Sequence, residues 1–435
     1  MDWYWDFTAT MILKWEKNKI IPLKKFNTNL WRVRSEACTS IWLNRFWEAW
    51  TLMALGTLWK SLYKTLLKEL YWDFENFRID FKKKLSSILE EYYNGDYIKI
   101  RYKPDIHKNL LKLENPYYGI TDFSFVDKNN HLNETTLNFA TSLQSITDDI
   151  VSYYINLVKW LTKCSNICYS WWVALNCVSN TKIRQSIWNK RIFIPPFCND
   201  SWLAIGNALF VYYNILDNKY SPKRLNNCYL WREYLDKDIE LAITTDKISS
   251  FINYEKLSED ILIHKTVDFL LSGKIIWWFQ WRSESWPRAL WNRSIICNPW
   301  YKNMKWILND RVKHRQEYRP FAPSVLLEEA NKWFDIDWES PFMLYAFNIK
   351  TDKKDIVPSI VHLDGTARVQ TVNSENNNLY YKLILEFYKK SWIPIILDTS
   401  FNDREPMVET PFDALKTFLT TNIDICVIWN YLITK

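Results

Sequence analysis

The chain of 435 residues contains only six glycines. An average protein carries about 7% glycine, which supplies the positive φ of tight turns, helix C-caps and phosphate loops. Those places are left here without their usual residue. Long apolar runs are missing too. None reaches the roughly 18 residues of a membrane span, and the start, MDWYWDFTAT, has neither the basic nor the apolar region of a signal peptide. A cytoplasmic chain with no membrane partner is expected. The eight cysteines include no C-x-x-C and read as reduced, mostly buried thiols. The five histidines form no H-x-x-x-H or H-E-x-x-H pair, so no complete metal motif is visible. Net charge is +7, but basic and acidic residues are interspersed, with no long run of one sign. That excess is a poor argument for a nucleic-acid partner, and none is expected. It fits a basic lining for a phosphorylated small molecule equally well.

What is present in excess is tryptophan, 26 residues. Many stand where glycine is expected: DWYWD, SIWNKRI, NPWYKN, KKSWIPI and ALWNRS all read as turns. A bulky aromatic at such positions would be strained and exposed. Many of these tryptophans are therefore expected to be glycine in the living cell, through a genome that reads UGA as glycine. The Lys-, Asn- and Ile-rich composition suits an AT-rich genome, in which such reassignment arises. The alternative is a genuinely tryptophan-rich chain.

The length suffices for two or three domains, and 48% apolar with 24% charged residues is ordinary for a globular protein. The patterning reads as α/β. NICYSWWVALNCVSNTKIRQSI reads as a short buried strand, a turn and a helix, and RIFIPPFCNDSWLAIGNALFVYY repeats the scheme. Strand, tight turn and helix together form the arrangement that binds phosphate or carboxylate at a helix N-terminus. Residues 1–225 are taken as a first domain and the polar stretch 226–260 as a linker. A second domain, 261–435, opens with helix DILIHKTVDFLLSG and strand KIIWWFQ. It continues through RPFAPSVL, helix NLYYKLILEFYKKS, strand IPIILDTSF, helix TPFDALKTFLTT and one closing strand, ICVIWNYLI.

Residues 277–294, WWFQWRSESWPRALWNRS, carry three arginines in a turn-rich loop. With glycine at 277, 281, 286 and 291, this stretch resembles the signature of the ATP-dependent O-carbamoyltransferases of the nodulation-protein and tobramycin-carbamoylating type. Further similar segments follow in the family's order: RQEYRPFAPSVL, SPFM, VHLDGTARVQTV and TSFNDREPMVETPFDAL. Upstream, MDWYWD resembles the family's D-G-x-G-[DE] turn, YSWWVALNCVSN its S-G-G-V-A-L-N-C-V-x-N, and CNDSWLAIGNAL its G-D-x-G-x-x-x-G-A-A-L. Trp3, Trp5, Trp171, Trp172, Trp202, Trp277, Trp281, Trp286 and Trp291 thus stand at family glycines, whereas Trp278 stands where the family favours tryptophan.

The resemblance implies a partial actin- and sugar-kinase-like N-terminal domain followed by an α/β C-terminal domain like that which makes threonylcarbamoyl-adenylate. It implies that carbamoyl phosphate and ATP yield a carbamoyl-adenylate in the C-terminal domain. The carbamoyl group then passes to the hydroxyl of a small-molecule, sugar-containing or natural-product acceptor near a metal in the N-terminal domain. Asp2 and Asp200 match the family's metal-binding aspartates, implying iron or manganese there and magnesium with ATP. Taken singly, each aspartate is more often a turn or cap residue.

Guanidinium forks and hydroxyls hold phosphate oxygens, so Arg282, Arg288 and Arg293 with Ser285, Asn292 and Ser294 suit a phosphoryl-transfer site; the bland reading is a solvated basic loop. Arg282, Arg288 and His362 are the catalytic candidates. His362 reads equally as a buried structural histidine. Arg315, Arg319, Asp364, Thr366, Arg368, Ser400 and Asn402 stand at strand ends and loops, which commonly line α/β sites, and the resemblance implies that they contact nucleotide or carbamoyl phosphate. Asn176 and the turn at 171–172 would approach substrate through backbone groups, while Val173, Ala174 and Leu175 read as core.

Some features depart from the family pattern. Family chains run on for a long segment before the D-G-x-G turn, and that segment holds the histidine pair of the metal site. The chain is expected to be an N-terminally truncated copy, to pair with a separate N-terminal piece, or to form a homodimer. NDREP is shorter than the family's N-x-x-G-E-P, Asp398 replaces a common asparagine, and EAWTLMAL lacks the usual lysine. A carbamoylating enzyme acting on an amine or RNA and a non-catalytic nucleotide-binding subunit are the rival readings.

Overall fold

The computed structural model describes residues 10–16, 19–26, 64, 134–170, 172–186, 191–198, 201–219, 225–285, 288–315, 319–402 and 406–435. Asp2, Asp200, Trp3, Trp5, Trp171 and Trp286 lie outside them. The protein is α/β and divides into two compact units, Met1–Cys198 with Trp202–Tyr220, and Asn199–Ser201 with Ser221–Lys435.

In the first unit an antiparallel hairpin pairs β1 (Thr10–Glu16) with β2 (Lys19–Phe26). Helix α1 (Glu134–Thr162) buries Ala140, Leu143, Ile146, Ile150, Val151 and Tyr154, a stripe at helical spacing. Strand β3 (Ile167–Cys168), a 3-10 turn over Trp172–Leu175, α2 (Cys177–Ser186), β4 (Ile192–Phe193) and α3 (Ser201–Phe210) follow. β3 and β4 run parallel, in the strand–turn–helix order expected. Val173, Ala174 and Leu175 are buried as core. The Asn176 side chain is structural: its amide donates to Gln144 at 3.1 Å and its oxygen accepts from the Ser179 amide at 3.2 Å. Asp148, also buried, accepts from Gln144 at 2.7 Å and pairs with Lys182, so α1 and α2 share a polar seam as well as an apolar one.

The second unit contains α4 (Asp236–Thr244), β5 (Asn253–Lys256), α5 (Glu259–Leu271), β6 (Ile276–Phe279), β7 (Arg293–Cys297), α6 (Met304–Leu308) and β8 (Ala322–Leu326). There follow β9 (Phe347–Asn348), β10 (Thr366–Ala367), β11 (Gln370–Val372), α7 (Asn378–Ser391), β12 (Ile395–Ser400), α8 (Pro411–Thr420), β13 (Ile425–Ile428) and β14 (Tyr431–Thr434). An eight-stranded mixed sheet runs β11-β8-β12-β7-β6-β13-β14-β5. Its central strands read IWWF, RSIIC, APSVL and ICVI and are buried at every residue, as strands covered on both faces must be. Helix α7 opens on Asn377, whose side chain accepts from the Tyr380 amide, and buries Tyr380, Leu383, Ile384 and Phe387. Helix α8 opens with Pro411 and a capping box between Thr410 and Asp413.

Two expectations change. The stretch 226–260 is not a linker, since α4 and β5 belong to the second unit and β5 pairs antiparallel with β14. All four β5 residues, NYEK, are exposed, which is how a polar, charged edge strand looks in sequence. The closing segment is not one strand but the hairpin β13–β14, turning at Trp429 and Asn430. Trp429 has φ of 54°, and a positive φ at the first central position of a two-residue hairpin loop is the type II′ requirement, which favours glycine.

Backbone geometry bears on the other tryptophans. Among the described residues, eight non-glycine positions have positive φ, and four are Trp281, Trp291, Trp392 and Trp429 at 36°, 81°, 62° and 54°. Asn, Asp and His are the side chains that ordinarily tolerate this region; bulky ones are outliers there. Trp392 ends α7 as a left-handed cap and is 80% exposed. Trp277 is extended but crowded. Its ring centroid lies 3.6 Å from that of Phe401, inside the roughly 4.5 Å lower limit of favourable aromatic pairs.

Candidate active site

The sheet register gathers the candidate residues at one edge. Phe279 pairs with Arg293, Ser294 with Ser400, and Asp398 with Ala322. The C-terminal ends of β6 and β12 and the N-terminal ends of β7 and β8 therefore meet there. The loops after Phe279 and Ser400 and the segment before Ala322 all leave from this edge, where α/β sheets commonly place ligands.

The arginine loop is held from inside. Glu284, 2% exposed, accepts through Oε1 from the backbone amides of Leu290 at 2.7 Å, Asn292 at 2.9 Å and Arg293 at 3.3 Å. Arg293 was expected to face phosphate, but it is fully buried. Its guanidinium donates to the carbonyls of Gln280 at 2.6 Å, Asn292 at 2.9 Å, Trp281 at 3.3 Å and Glu409 at 3.4 Å. Burial pushes it down to about 10, the nearby Glu284 opposing that shift. Asn292 is buried as well, donating to the Arg282 carbonyl at 2.9 Å and accepting from Asn377 at 2.9 Å. Ser294 is buried within β7. The Ser285 amide donates to the Cys228 carbonyl at 2.8 Å. The amides of 290, 292 and 293, around the family-glycine position 291, face Glu284. Arg282 and Arg288 are only partly buried, Arg282 pairing with Glu233 at 3.3 Å.

A second cluster lies across the same edge. Lys313, not singled out in the sequence, donates to Ser400 Oγ at 3.2 Å and to the Asn402 carbonyl and Oδ1, both at 2.8 Å. Arg315 donates to Asn309 at 2.7 Å and to the Pro320 carbonyl at 3.3 Å, and stacks 4.7 Å from the Phe321 ring centre. Burial first, and then the charge of Arg319, lower Arg315 to about 9. The charge of Arg319 opposing that of Arg315 favours an anion beside them. His362 Nδ1 lies 3.1 Å from Thr366 Oγ1, and burial pushes its imidazole down to about 4, so it is neutral at pH 7. Asp364 accepts from the Thr366 amide at 2.9 Å and hydroxyl at 2.7 Å, closing the turn at Gly365, whose φ is +80°. These contacts make Asp364 and Thr366 partners of each other. Arg368 is partly buried between β10 and β11.

Beneath this edge sits Asp398, fully buried, accepting from Ser324 at 3.1 Å and Gln370 at 2.9 Å. Burial pushes its carboxyl up to about 7. Sequence reasoning missed Lys313 and Glu284 for different reasons. Lys313 meets Ser400 and Asn402 across separations of 87 and 89 residues, which no local pattern reports. Glu284 lies inside the quoted loop and was passed over because acidic residues are the less expected partners of phosphate. Asp2 and Asp200 lie outside the described residues; among the described residues no group of three or more His, Cys, Asp or Glu is gathered to hold a metal.

A family model described as the carbamoyltransferase C-terminus matches residues 267–435, and one described as the carbamoyltransferase N-terminus matches 51–209. The chain belongs to the carbamoyltransferase family. Relatives include nodulation protein NolNO of Sinorhizobium fredii, 36% identical over 302 residues, covering 68% of this chain and 44% of that protein. Nodulation protein NolO of Bradyrhizobium diazoefficiens is 35% identical over 300 residues, covering 68% of this chain and 54% of that protein. An uncharacterised Synechocystis protein is 33% identical over 328 residues, covering 70% and 53%. The chain thus spans about half the length of the curated relatives it matches. The sheet-edge residues from Gln280 to Asn402 fall within the match to the carbamoyltransferase C-terminus, whereas Cys228 and Glu233 precede it. Among the described residues, no helix is long and apolar enough to cross a membrane.

Proposed function

We propose that this carbamoyltransferase activates its carbamoyl group with ATP at the sheet edge of the second unit and transfers it to a hydroxyl. With water, carbamoyl phosphate and ATP give carbamoyl-adenylate, phosphate and pyrophosphate. A hydroxyl oxygen of a sugar-containing or natural-product acceptor then attacks the carbamoyl carbon, and AMP leaves. The observation that carries this reading is the meeting of Lys313 with Ser400 and Asn402, on the edge from which the Arg282–Arg288 loop also departs, with the neighbouring charges of Arg315 and Arg319 following Lys313 in the chain. Such a set can hold a triphosphate and offset the charge that grows on a departing pyrophosphate.

In this reading Arg282 and Arg288 face the transferring phosphoryl group, and Arg368 is assigned to share that task. His362, held neutral by burial, serves in this reading as a hydrogen-bonding group and not as a base at pH 7. Magnesium would accompany ATP, and Asp2 and Asp200 would hold iron or manganese. Carbamoyl-phosphate-dependent exchange of labelled pyrophosphate into ATP tests the first half-reaction. Arg288→Ala should abolish exchange, whereas Asp200→Ala should leave exchange intact and stop only transfer. A folded parent protein without exchange would overturn the enzymatic reading in favour of a non-catalytic nucleotide-binding subunit. Offering hydroxyl, amine and RNA acceptors to the exchanging protein decides the acceptor class.

A further inference from the structure

The amides of Leu290, Asn292 and Arg293 converge on one point because Trp291 between them takes a φ of 81°. Successive amides turned inward by a left-handed residue form a nest, a concavity that binds anions. Here the occupant is the loop's own carboxylate, Glu284 Oε1. Its neighbour Arg293 closes the neck of the same loop through four carbonyls. The loop therefore contains a buried carboxylate and a buried guanidinium, and leaves Arg282 and Arg288 as its partly exposed arginines. We propose that Glu284 is the positioning residue of the arginine loop: it fills an anion nest that would otherwise compete for substrate phosphate, and so sets where Arg282 and Arg288 stand. This role rests on the activation reaction proposed above.

Glu284→Ala empties the nest, and formate is the smallest carboxylate that could refill it. In the full chain, exchange by Glu284→Ala should fall by roughly 10- to 100-fold, carried by kcat, and recover saturably with formate. Formate should also raise the melting temperature of Glu284→Ala and leave that of the parent unchanged. This second readout needs no enzymatic activity. Absent exchange in the parent would therefore count against the reaction, and absent formate stabilisation against the nest. If the alanine variant does not fold, Glu284→Gln keeps the acceptor oxygen and volume while removing the charge. A folded glutamine variant with parental kcat would overturn the proposal.

A separate observation carries a second inference. Trp281, Trp291, Trp392 and Trp429 occupy left-handed backbone in a chain with six glycines and 26 tryptophans. At Trp392 the side chain is 80% exposed, so no burial offsets the strain. We infer that these four positions are glycine in the protein its own cell makes, through UGA codons read as glycine. Peptide mass spectrometry of the protein isolated from that cell should find glycine at 281, 291, 392 and 429. Tryptophan in those peptides, or UGG at those codons, would overturn it.

Discussion

Strand β6 and the loop that follows it place the same side chain on opposite backbones. In β6, Trp278 is extended and fully buried, where an aromatic side chain fits a pleated strand well, while Trp277 beside it is buried and crowded against Phe401. In the loop, Trp281 and Trp291 stand at φ of 36° and 81°, where a Cβ is crowded by its own backbone. The meaning of a tryptophan in this chain is set by the φ beneath it. Trp278 is a core residue; Trp392, at a helix cap and exposed, is a glycine position occupied by an indole.

That contrast can be broken by mutation. The largest effect is expected at the extended site: Trp278→Ala should lower unfolding free energy by about 3–5 kcal/mol in chemical denaturation, since burial is lost and no strain is relieved. The opposite sign is expected at the cap. Trp392→Gly should raise stability by about 1 kcal/mol, because the left-handed penalty disappears and nothing buried is removed. A loss of stability at 392 would mean that backbone conformation does not distinguish the two classes. Trp429→Gly should shift stability in the same direction by a similar or smaller amount, read as a higher denaturation midpoint.

Trp291 sharpens the comparison, because its indole donates to Ser324 Oγ at 3.1 Å and Ser324 in turn donates to Asp398. Asp398 rises from an ordinary 3.8 to about 7 on burial, so between those values the folded chain keeps a proton that the unfolded chain has released. Its contribution to stability is therefore greatest below about pH 4, declines as pH rises to about 7, and is flat above. Asp398→Asn, of the same shape and permanently neutral, should remove that slope from a plot of denaturation midpoint against pH. An unchanged slope would show that another group carries it.

Much of the second unit was legible in the sequence. The helices around 259–271, 378–391 and 411–420 carry their caps and apolar stripes locally, and β6, β8 and β12 are apolar runs that punctuation isolates. The polar edge strand β5 was lost because NYEK has no buried face to leave a pattern. The turn dividing β13 from β14 was hidden because tryptophan holds the place of the residue that marks a turn.

By itself, the sequence determined the α/β class, the family signature and the conflict between tryptophan and turn chemistry, all of which depend on residues close together in the chain. Only the tertiary structure decided which arginines are structural. Arg282, Arg288 and Arg293 look alike in one loop, yet Arg293 is spent on carbonyls of Gln280, Asn292, Trp281 and Glu409. It also decided that Lys313 meets Ser400 and Asn402, and that a glutamate fills the nest. The reason is physical: burial and hydrogen-bond partners belong to packing, and packing joins segments that no local pattern connects.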